Sequence, residues 1–328
     1  MKVLVTGATG FLGGWLTRRL VEEGHDVRII KRASSSLEEL EGLKLETAPG
    51  DVTDLNSLLA ACKGMDTVFH LAGLIAYSRA RRQAMENVNV HGTANVIEAC
   101  RQAGVRKLVY MSSVVTVGAS FDGKIPLDES AEYNVGHLDL GYSETKRAAE
   151  KLVLSAVKNS GLDAVLLNPA TIYGPGDAKK GSRGTQLKVA QGKFPMYPPG
   201  GVNIISVEDV VSATLRAWKD GRTGERYILS GDNLLIKEAF DLIAKIAGAK
   251  PSWLAMPRTL IFGLGLLGDS LELIGKKGPI NTENAWMSVL YHWFDSSKAQ
   301  KELGLKPRPA SYAIEQSVKW IKDAGLLD

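Results

Sequence analysis

The feature that most restricts the fold comes first in the chain: a β-rich run passes through a glycine turn directly into a helix. Lys2–Thr6 is followed by Gly7-Ala8-Thr9-Gly10-Phe11-Leu12-Gly13, and a helical pattern continues to Glu23. Without Cβ atoms the turn lets a phosphate approach the backbone, and the helix beyond supplies unpaired amides and the positive end of its dipole. A glycine motif by itself is weak evidence. Strand, turn and helix in this order form the context that a dinucleotide pyrophosphate needs. Gly7, Thr9, Gly10, Phe11, Leu12 and Gly13 are therefore candidate cofactor contacts.

The alternation continues to Asn168. Short β-rich runs at Asp26–Ile30, Lys44–Ala48, Asp66–His70, Lys107–Met111 and Ala164–Asn168 are separated by helical patterns, including long ones over Ala84–Ala103 and Gly141–Ser160. This predicts an α/β fold: a doubly wound parallel sheet of the Rossmann type with helices on both faces. Gly24, Gly104 and Gly161 follow helical runs and precede β runs, as left-handed helix ends do. Beyond Asn168 a Gly-, Pro- and Lys-rich loop (174–183) and a Pro-rich turn (195–201) break the pattern, and helices outnumber strands. Residues 1–173 thus read as the dinucleotide-binding domain, and 174–328 as a smaller, mostly helical substrate domain. The β runs Val202–Val207 and Arg226–Leu229 are expected to return to the first sheet or its margin. The glycine-punctuated apolar segment Leu254–Ile280 fits either a lid over an apolar pocket or a core helix.

A dinucleotide with a free ribose 2′-hydroxyl calls for an acidic residue at the end of the second strand. None is there: Asp26 opens that strand, and its far end reads Lys31-Arg32-Ala33-Ser34-Ser35-Ser36. Cations and hydroxyls suit a 2′-phosphate, so NADP is expected in preference to NAD, with Lys31 and Arg32 as contacts.

After the fifth β run come Met111-Ser112-Ser113, and Gly141-Tyr142-Ser143-Glu144-Thr145-Lys146 opens a later helix. Tyr142 and Lys146, four residues apart, share a helix face. A phenol has a pKa of about 10, too high for a base near neutrality; an adjacent ammonium would stabilise the phenolate and bring proton exchange within reach. Lys146 is also placed to hold a nicotinamide ribose, and Ser113 to hydrogen-bond a substrate oxygen whose charge changes. The Tyr/Lys spacing alone says little, because such pairs usually decorate exposed helix faces.

Together the motifs resemble the extended short-chain dehydrogenase/reductase family, within the NAD-dependent epimerase/dehydratase superfamily, over nearly the whole chain. The resemblance rests on TGATGFLG at 6–13, GDVTD at 50–54, HLAG at 70–73, NVHGT at 89–93, SSV at 112–114, YSETK at 142–146 and NPATIYGPGD at 168–177. Within the family the chain looks most like bacterial dihydroflavonol-4-reductase-like proteins, which grade into sugar-nucleotide epimerases and 3β-hydroxysteroid dehydrogenases. The resemblance implies Tyr142 as acid/base, Lys146 as its activator and ribose ligand, and Ser113 as donor to the substrate oxygen. Ser113 is preferred to Ser112 because it stands five residues before Gly118. Also implied are Asp51 and Val52 at the adenine, Leu71, Ala72 and Gly73 along the middle of the cofactor, and Met111 and Ser112 beside it. Pro169, Ala170 and Thr171 would meet the carboxamide, and Asn89 would position the helix or the lysine. A homodimer through the helices over Ala84–Ala103 and Gly141–Ser160 is implied as well. Ser78, His137, Asp139 and Tyr173 fall on loops expected to border the nicotinamide pocket, whereas His70 and Glu208-Asp209 read as a strand end and a helix N-terminus.

Composition narrows the remaining classes. With 328 residues, 45% hydrophobic and 23% charged, the chain is globular, and its net charge of +4 is scattered rather than gathered into a nucleic-acid groove. The densest basic cluster, Arg79, Arg81 and Arg82, reads as a solvated turn. Cys62 and Cys100 sit in helical patterns and cannot alone hold a metal, so no metal is expected and a reducing, cytoplasmic location is. The β run at Val3-Leu4-Val5 leaves no room for a leader before it, and the longest uncharged apolar stretch, Thr259–Gly268, is too short to span a bilayer. The expected activity is hydride transfer between NADP and a ketone or secondary alcohol of a small, ring-containing molecule. One alternative is a nucleotide-sugar epimerase or dehydratase on bound NAD, for which the basic loop Lys179-Lys180-Gly181-Ser182-Arg183 would grip a diphosphate. The other is an inactive NADP-binding sensor.

Overall fold

Val3, Leu4 and Val5 are all fully buried, which places their strand inside a sheet covered on both faces. A computed structural model, describing residues 1–180, 184–276 and 278–327, shows that sheet. Its strands are β1 (Lys2–Thr6), β2 (Asp26–Lys31), β3 (Glu46–Pro49), β4 (Thr67–His70), β5 (Lys107–Met111) and β6 (Ala164–Pro169). After β7 (Thr171–Tyr173), β8 (Met196–Tyr197) and β9 (Gly201–Ser206), a seventh member, β10 (Arg226–Leu229), joins its edge. The order is β10-β6-β5-β4-β1-β2-β3, and every pairing in it is parallel. Chain direction across the sheet reverses between β1 and β4, the switch point at whose carboxyl end open α/β sheets bind ligands.

Successive side chains on a strand face opposite ways, so each strand feeds two cores. Val3, Val5, Ile29 and Phe69 pack on helices α1 (Phe11–Glu22) and α7 (Val207–Asp220) through Leu16, Leu20, Val210 and Trp218. Leu4, Ile30, Val68 and Leu108 pack on α2 (Leu55–Cys62), α4 (Gly92–Ala103) and α5 (Gly141–Ser160) through Leu58, Val96 and Val153. Each such fully buried aliphatic side chain contributes about 1.5–3 kcal/mol. Gly24, Gly104 and Gly161 take positive φ where the helices end.

The helix expected over Ala84–Ala103 is not uniform. A short α3 (Arg82–Met85) passes through a π-helical turn at Glu86–His91 into α4. The extra residue in that turn is accompanied by a buried Asn89, whose amide is fully used below.

Of the two β runs expected back at the first sheet or its margin, Arg226–Leu229 joins the sheet itself, whereas β9 lies beside it, between β7 and β11 (Asp232–Leu235) in a separate three-stranded sheet, parallel to the first and antiparallel to the second. Its Ile204 faces a third core with Tyr173, Val189, Ile243, Ile314 and Val318, drawn from α6 (Gly184–Ala190), α8 (Ile236–Ala247) and α12 (Ala310–Asp323). The opposite side of β9 places Ile205 in the first core, so the two halves of the chain interleave. The last elements are β12 (Leu254–Ala255), α9 (Arg258–Leu273), α10 (Thr282–Val289) and α11 (Ser297–Leu303). Among the described residues no helix is long and apolar enough to cross a membrane.

Candidate active site

The glycine turn sits where β1 ends at the switch point. Gly7 has φ +74°, and a Cβ there would lie 2.7 Å from the amide nitrogen of Ala72, in the loop after β4. A Cβ on Gly13 would lie 2.0 Å from the Gly7 carbonyl oxygen. Both glycines are fixed by backbone, which has nowhere to move. Thr6 knits the two loops, its Oγ1 accepting the Ala72 amide at 3.2 Å and bonding His70 Nδ1 at 2.7 Å. His70 is completely buried, touches Thr93 Oγ1 at 3.0 Å through its other nitrogen, and is held neutral, its pKa lowered to about 3 chiefly by burial and then by Lys146. It is a strand-end brace, as its position suggested.

Helix α1 starts at Phe11 with no side-chain cap and no acidic residue in its first turn. Its leading amides therefore face the turn without a built-in anion. A turn that excludes side chains and presents amides fits a pyrophosphate. At the far end of β2, the Arg32 guanidinium lies exposed, 3.9 Å from the Asp51 carboxylate, and Lys31 Nζ donates to the Ser35 carbonyl at 3.2 Å. Asp51 Oδ1 accepts from the Thr53 amide and hydroxyl, both at 2.9 Å, and Val52 is buried against Gly92.

The fold brings Tyr142, Lys146 and Ser113 together from α5 and the end of β5. Lys146 Nζ is buried and donates to the Met111 carbonyl at 2.7 Å, with the Tyr110 ring 4.8 Å away. Burial lowers its pKa to about 8, while Glu150 pulls it up. The Tyr142 phenol is buried too and lies beside Ser113. Its pKa is raised, chiefly by burial, with Tyr77 adding to the rise and Ser113 opposing it. Lys146 is not among the causes, its ammonium being engaged by the Met111 carbonyl, and loss of hydration around a phenolate dominates. Ser113 and Ser112 face different ways. The Ser113 hydroxyl is at Tyr142 and accepts from the Val115 amide at 3.4 Å, whereas Ser112 donates to Glu150 at 2.5 Å.

Glu150 is the residue that the sequence reading missed. Its Oε2 also accepts from Thr116 at 2.9 Å and Asn168 at 2.8 Å, and Oε1 pairs with Arg226 at 3.1 Å. A buried carboxylate with four partners fixes the Ser112-Ser113 turn against α5, β6 and β10. The signal was available, because Glu150 continues the four-residue spacing of Tyr142 and Lys146 along one helix face. Asn89 works similarly: it accepts the Leu74 amide at 2.7 Å and donates to the Leu74 carbonyl and to Thr145 Oγ1, tying the loop after β4 to α5.

Tyr142 is enclosed by apolar side chains: Met85, Val115, Leu74, Ala76, Tyr77 and, from α10, Met287. Tyr77 meets its ring edge-on at 6.1 Å, and Asn281 and Asn284 donate to the Tyr77 carbonyl. No sequence signal joins Tyr77 to Met287. The four substrate candidates fare differently. Ser78 donates to Glu272 of α9; Asp139, at φ +49°, pairs with Arg82 at 2.7 Å; and His137 stacks on Phe121. Tyr173 is corrected: it is buried in the third core, because the alternation along β7 turns it toward α8 and α12. Pro169, Ala170 and Thr171 bridge β6 to β7 at the same end of the sheet, the Ala170 amide donating to Leu229. Glu208 and Asp209, in the first turn of α7, pair with Arg308. Of the basic loop, Gly181–Arg183 and the side chains of Lys179 and Lys180 lie outside the described residues.

A parallel sheet with this glycine turn, and a Ser/Tyr/Lys cluster beside it whose tyrosine and lysine are buried, define a dinucleotide-dependent enzyme class. Residues 3–230 match the model of the NAD dependent epimerase/dehydratase family, and the chain belongs to that family. It is 34% identical to the "Sterol demethylase protein B" of Methylococcus capsulatus, over 100% of both chains. To a provisionally named dihydroflavonol 4-reductase of Synechocystis it is 33% identical, over 98% of this chain and 94% of the relative. The solved structure of gox2253 superposes with a TM-score of 0.88 at 34% identity, over 99% of each chain. The protein is an NAD(P)-dependent oxidoreductase of the extended short-chain dehydrogenase/reductase type.

Proposed function

We propose that the protein is an NADP(H)-dependent reductase of a ketone on a small, apolar, ring-containing molecule. Residues 1–173 would hold mainly cofactor and 174–328 mainly substrate. The carrying observation is the enclosure of Tyr142 by Met85, Val115, Leu74, Ala76, Tyr77 and Met287. Such walls leave sugar hydroxyls and a diphosphate without partners, which is costly, but suit a ring bearing one carbonyl. The names of the two relatives, one for sterol demethylation and one for a dihydroflavonol reductase, agree with that class of substrate.

Gly7, Thr9, Gly10, Phe11, Leu12 and Gly13 would hold the pyrophosphate, Asp51 and Val52 the adenine, Leu71–Gly73 the middle, Lys146 the ribose, and Pro169–Thr171 the carboxamide. Lys31 and Arg32 would meet the 2′-phosphate; no acidic residue ends β2 to select a free hydroxyl. When bound, the cofactor supplies the hydride. Ser113 and Tyr142 then orient the carbonyl oxygen by hydrogen bonds, and Tyr142 gives its proton to that oxygen as negative charge grows there. A phenol kept protonated by burial suits the reducing direction. Lys146, kept cationic by Glu150 against the pull of burial, helps the phenolate that results.

A screen of the purified protein with NADPH and NADH against aromatic and alicyclic ketones, and separately with UDP-sugars, tests this. Loss of reduced-nicotinamide absorbance with ketones, faster with NADPH, is expected. Interconversion of sugars without net change in cofactor, and no ketone reduction, would replace the proposal by an epimerase.

A further inference from the structure

Helix α9 carries an apolar face on each side. Inward, Ile261, Gly265 and Gly268 are buried, and the glycines let the chain at 280–282 pass at backbone contact: a Cβ on Gly268 would lie 1.7 Å from the Ile280 carbonyl oxygen. Outward, every exposed residue from Thr259 to Gly275 is uncharged, and five of them are Leu260, Leu266, Leu267, Leu273 and Ile274. Leu260, Leu267 and Ile274 recur every seven residues, as do Leu266 and Leu273, and the exposed Gly263 and Ser270 fall between them, so all lie on one stripe. Leu273 is 89% exposed, and Trp253, just before the helix, 72%. An ordinary surface helix turns charges to water on this side.

Two further observations indicate what covers the stripe. Its polar groups are few, and the Ser270 hydroxyl is already used on the Leu266 carbonyl at 2.9 Å, so a protein partner would find almost no hydrogen bonds there. Exposed cations flank it: Arg258 opens the helix and Lys276 follows it. Arg79 and Arg81, exposed as well, lie on the loop that Glu272 of α9 holds through the Ser78 hydroxyl and the Ala80 amide. Aliphatic side chains, a tryptophan and a cationic rim are the composition of helices that lie in an anionic bilayer interface. At 16 residues α9 is about 24 Å long, short of the roughly 30 Å hydrocarbon core, so it would lie in the plane rather than span.

We propose that the outer face of α9 docks the protein on an anionic phospholipid surface. The same helix is tied to the pocket, since its Glu272 holds the loop whose Tyr77 packs on Tyr142. The docked face therefore lies on the outside of the helix that holds the Tyr77 loop. Docking itself depends on no particular substrate or activity.

Co-sedimentation of the full chain with vesicles tests it, comparing phosphatidylcholine alone with mixtures containing phosphatidylglycerol. We expect binding to the anionic vesicles, weakened by salt, and at least about tenfold weaker binding for the variant carrying both Leu266→Glu and Leu273→Glu, each new charge having to leave water. Those two positions are exposed, so the thermal midpoint should not move, which excludes misfolding as the cause. Arg81→Glu with Lys276→Glu should remove the preference for anionic over neutral vesicles. Absence of binding to either vesicle, or wild-type binding by the leucine variant, overturns the proposal. So does light scattering in which the leucine variant has a smaller particle mass than the wild type, for then a second copy of the chain covers the face.

Discussion

At Tyr142 and Lys146 burial acts on two groups of opposite charge, raising the phenol and lowering the ammonium to about 8. If Tyr142 is the acid/base, Tyr142→Phe should lose about 10²–10⁴-fold in turnover while cofactor titrates as before. Near-full activity would assign the proton transfer elsewhere. Lys146 makes a separate, pH-dependent prediction for the cofactor-free protein. Below pH 8 the folded and unfolded chains both hold the lysine proton, so the cost of burying the ammonium is fully present. Between about 8 and the ordinary lysine value of 10.5 the folded chain has released the proton and the unfolded chain still binds it, so stability rises with pH through that window. Thermal midpoints measured across it should climb more steeply for the wild type than for Lys146→Met; parallel curves would show that the lysine is not depressed. The Tyr/Lys spacing was readable because one helix turn relates the two residues. The burial of Tyr142 was not, because it depends on Met287, more than a hundred positions away in the chain.

Among the elements, α1 shows most directly how local sequence becomes a site. Its first turn must lie against the Gly7 carbonyl, and Gly13→Ala puts a methyl 2.0 Å from that oxygen. The helix start would have to move, at about 1–3 kcal/mol by comparison with other overpacked sites. Dinucleotide affinity measured by calorimetry should fall with it, and unchanged affinity would separate the turn from the cofactor. Strand, turn and helix were legible here because all three are contiguous. The π-helical turn at Glu86–His91 was not legible: a helical periodicity does not reveal one residue of slack. That slack goes with Asn89, which reaches both Leu74 and Thr145.

For the whole molecule, α4 and α5 pack side by side over one face of the sheet, and α5 presents Lys151 and Ser155 outward. Two copies meeting there about a two-fold axis would form an isologous four-helix contact. Light scattering should then give twice 35.4 kDa, a mass that the α9 variants leave unchanged; a monomer at micromolar concentration would refute the contact. By itself the sequence determined the doubly wound sheet, the glycine turn and the Tyr142/Lys146 pair, because each is written in periodicity or in residues a few positions apart. It also preferred Ser113 to Ser112 as the substrate-oxygen donor, through a family spacing. Tertiary structure alone decided that β9 leaves the main sheet for a partner at 232–235, that Tyr173 points into the third core, and that Glu150 anchors the serine turn. It also set the apolar enclosure of Tyr142 and the uncovered outer face of α9. The physical reason is common to all of these: burial and pairing are properties of surfaces assembled from distant segments, and one segment's pattern does not say which other segment will cover it.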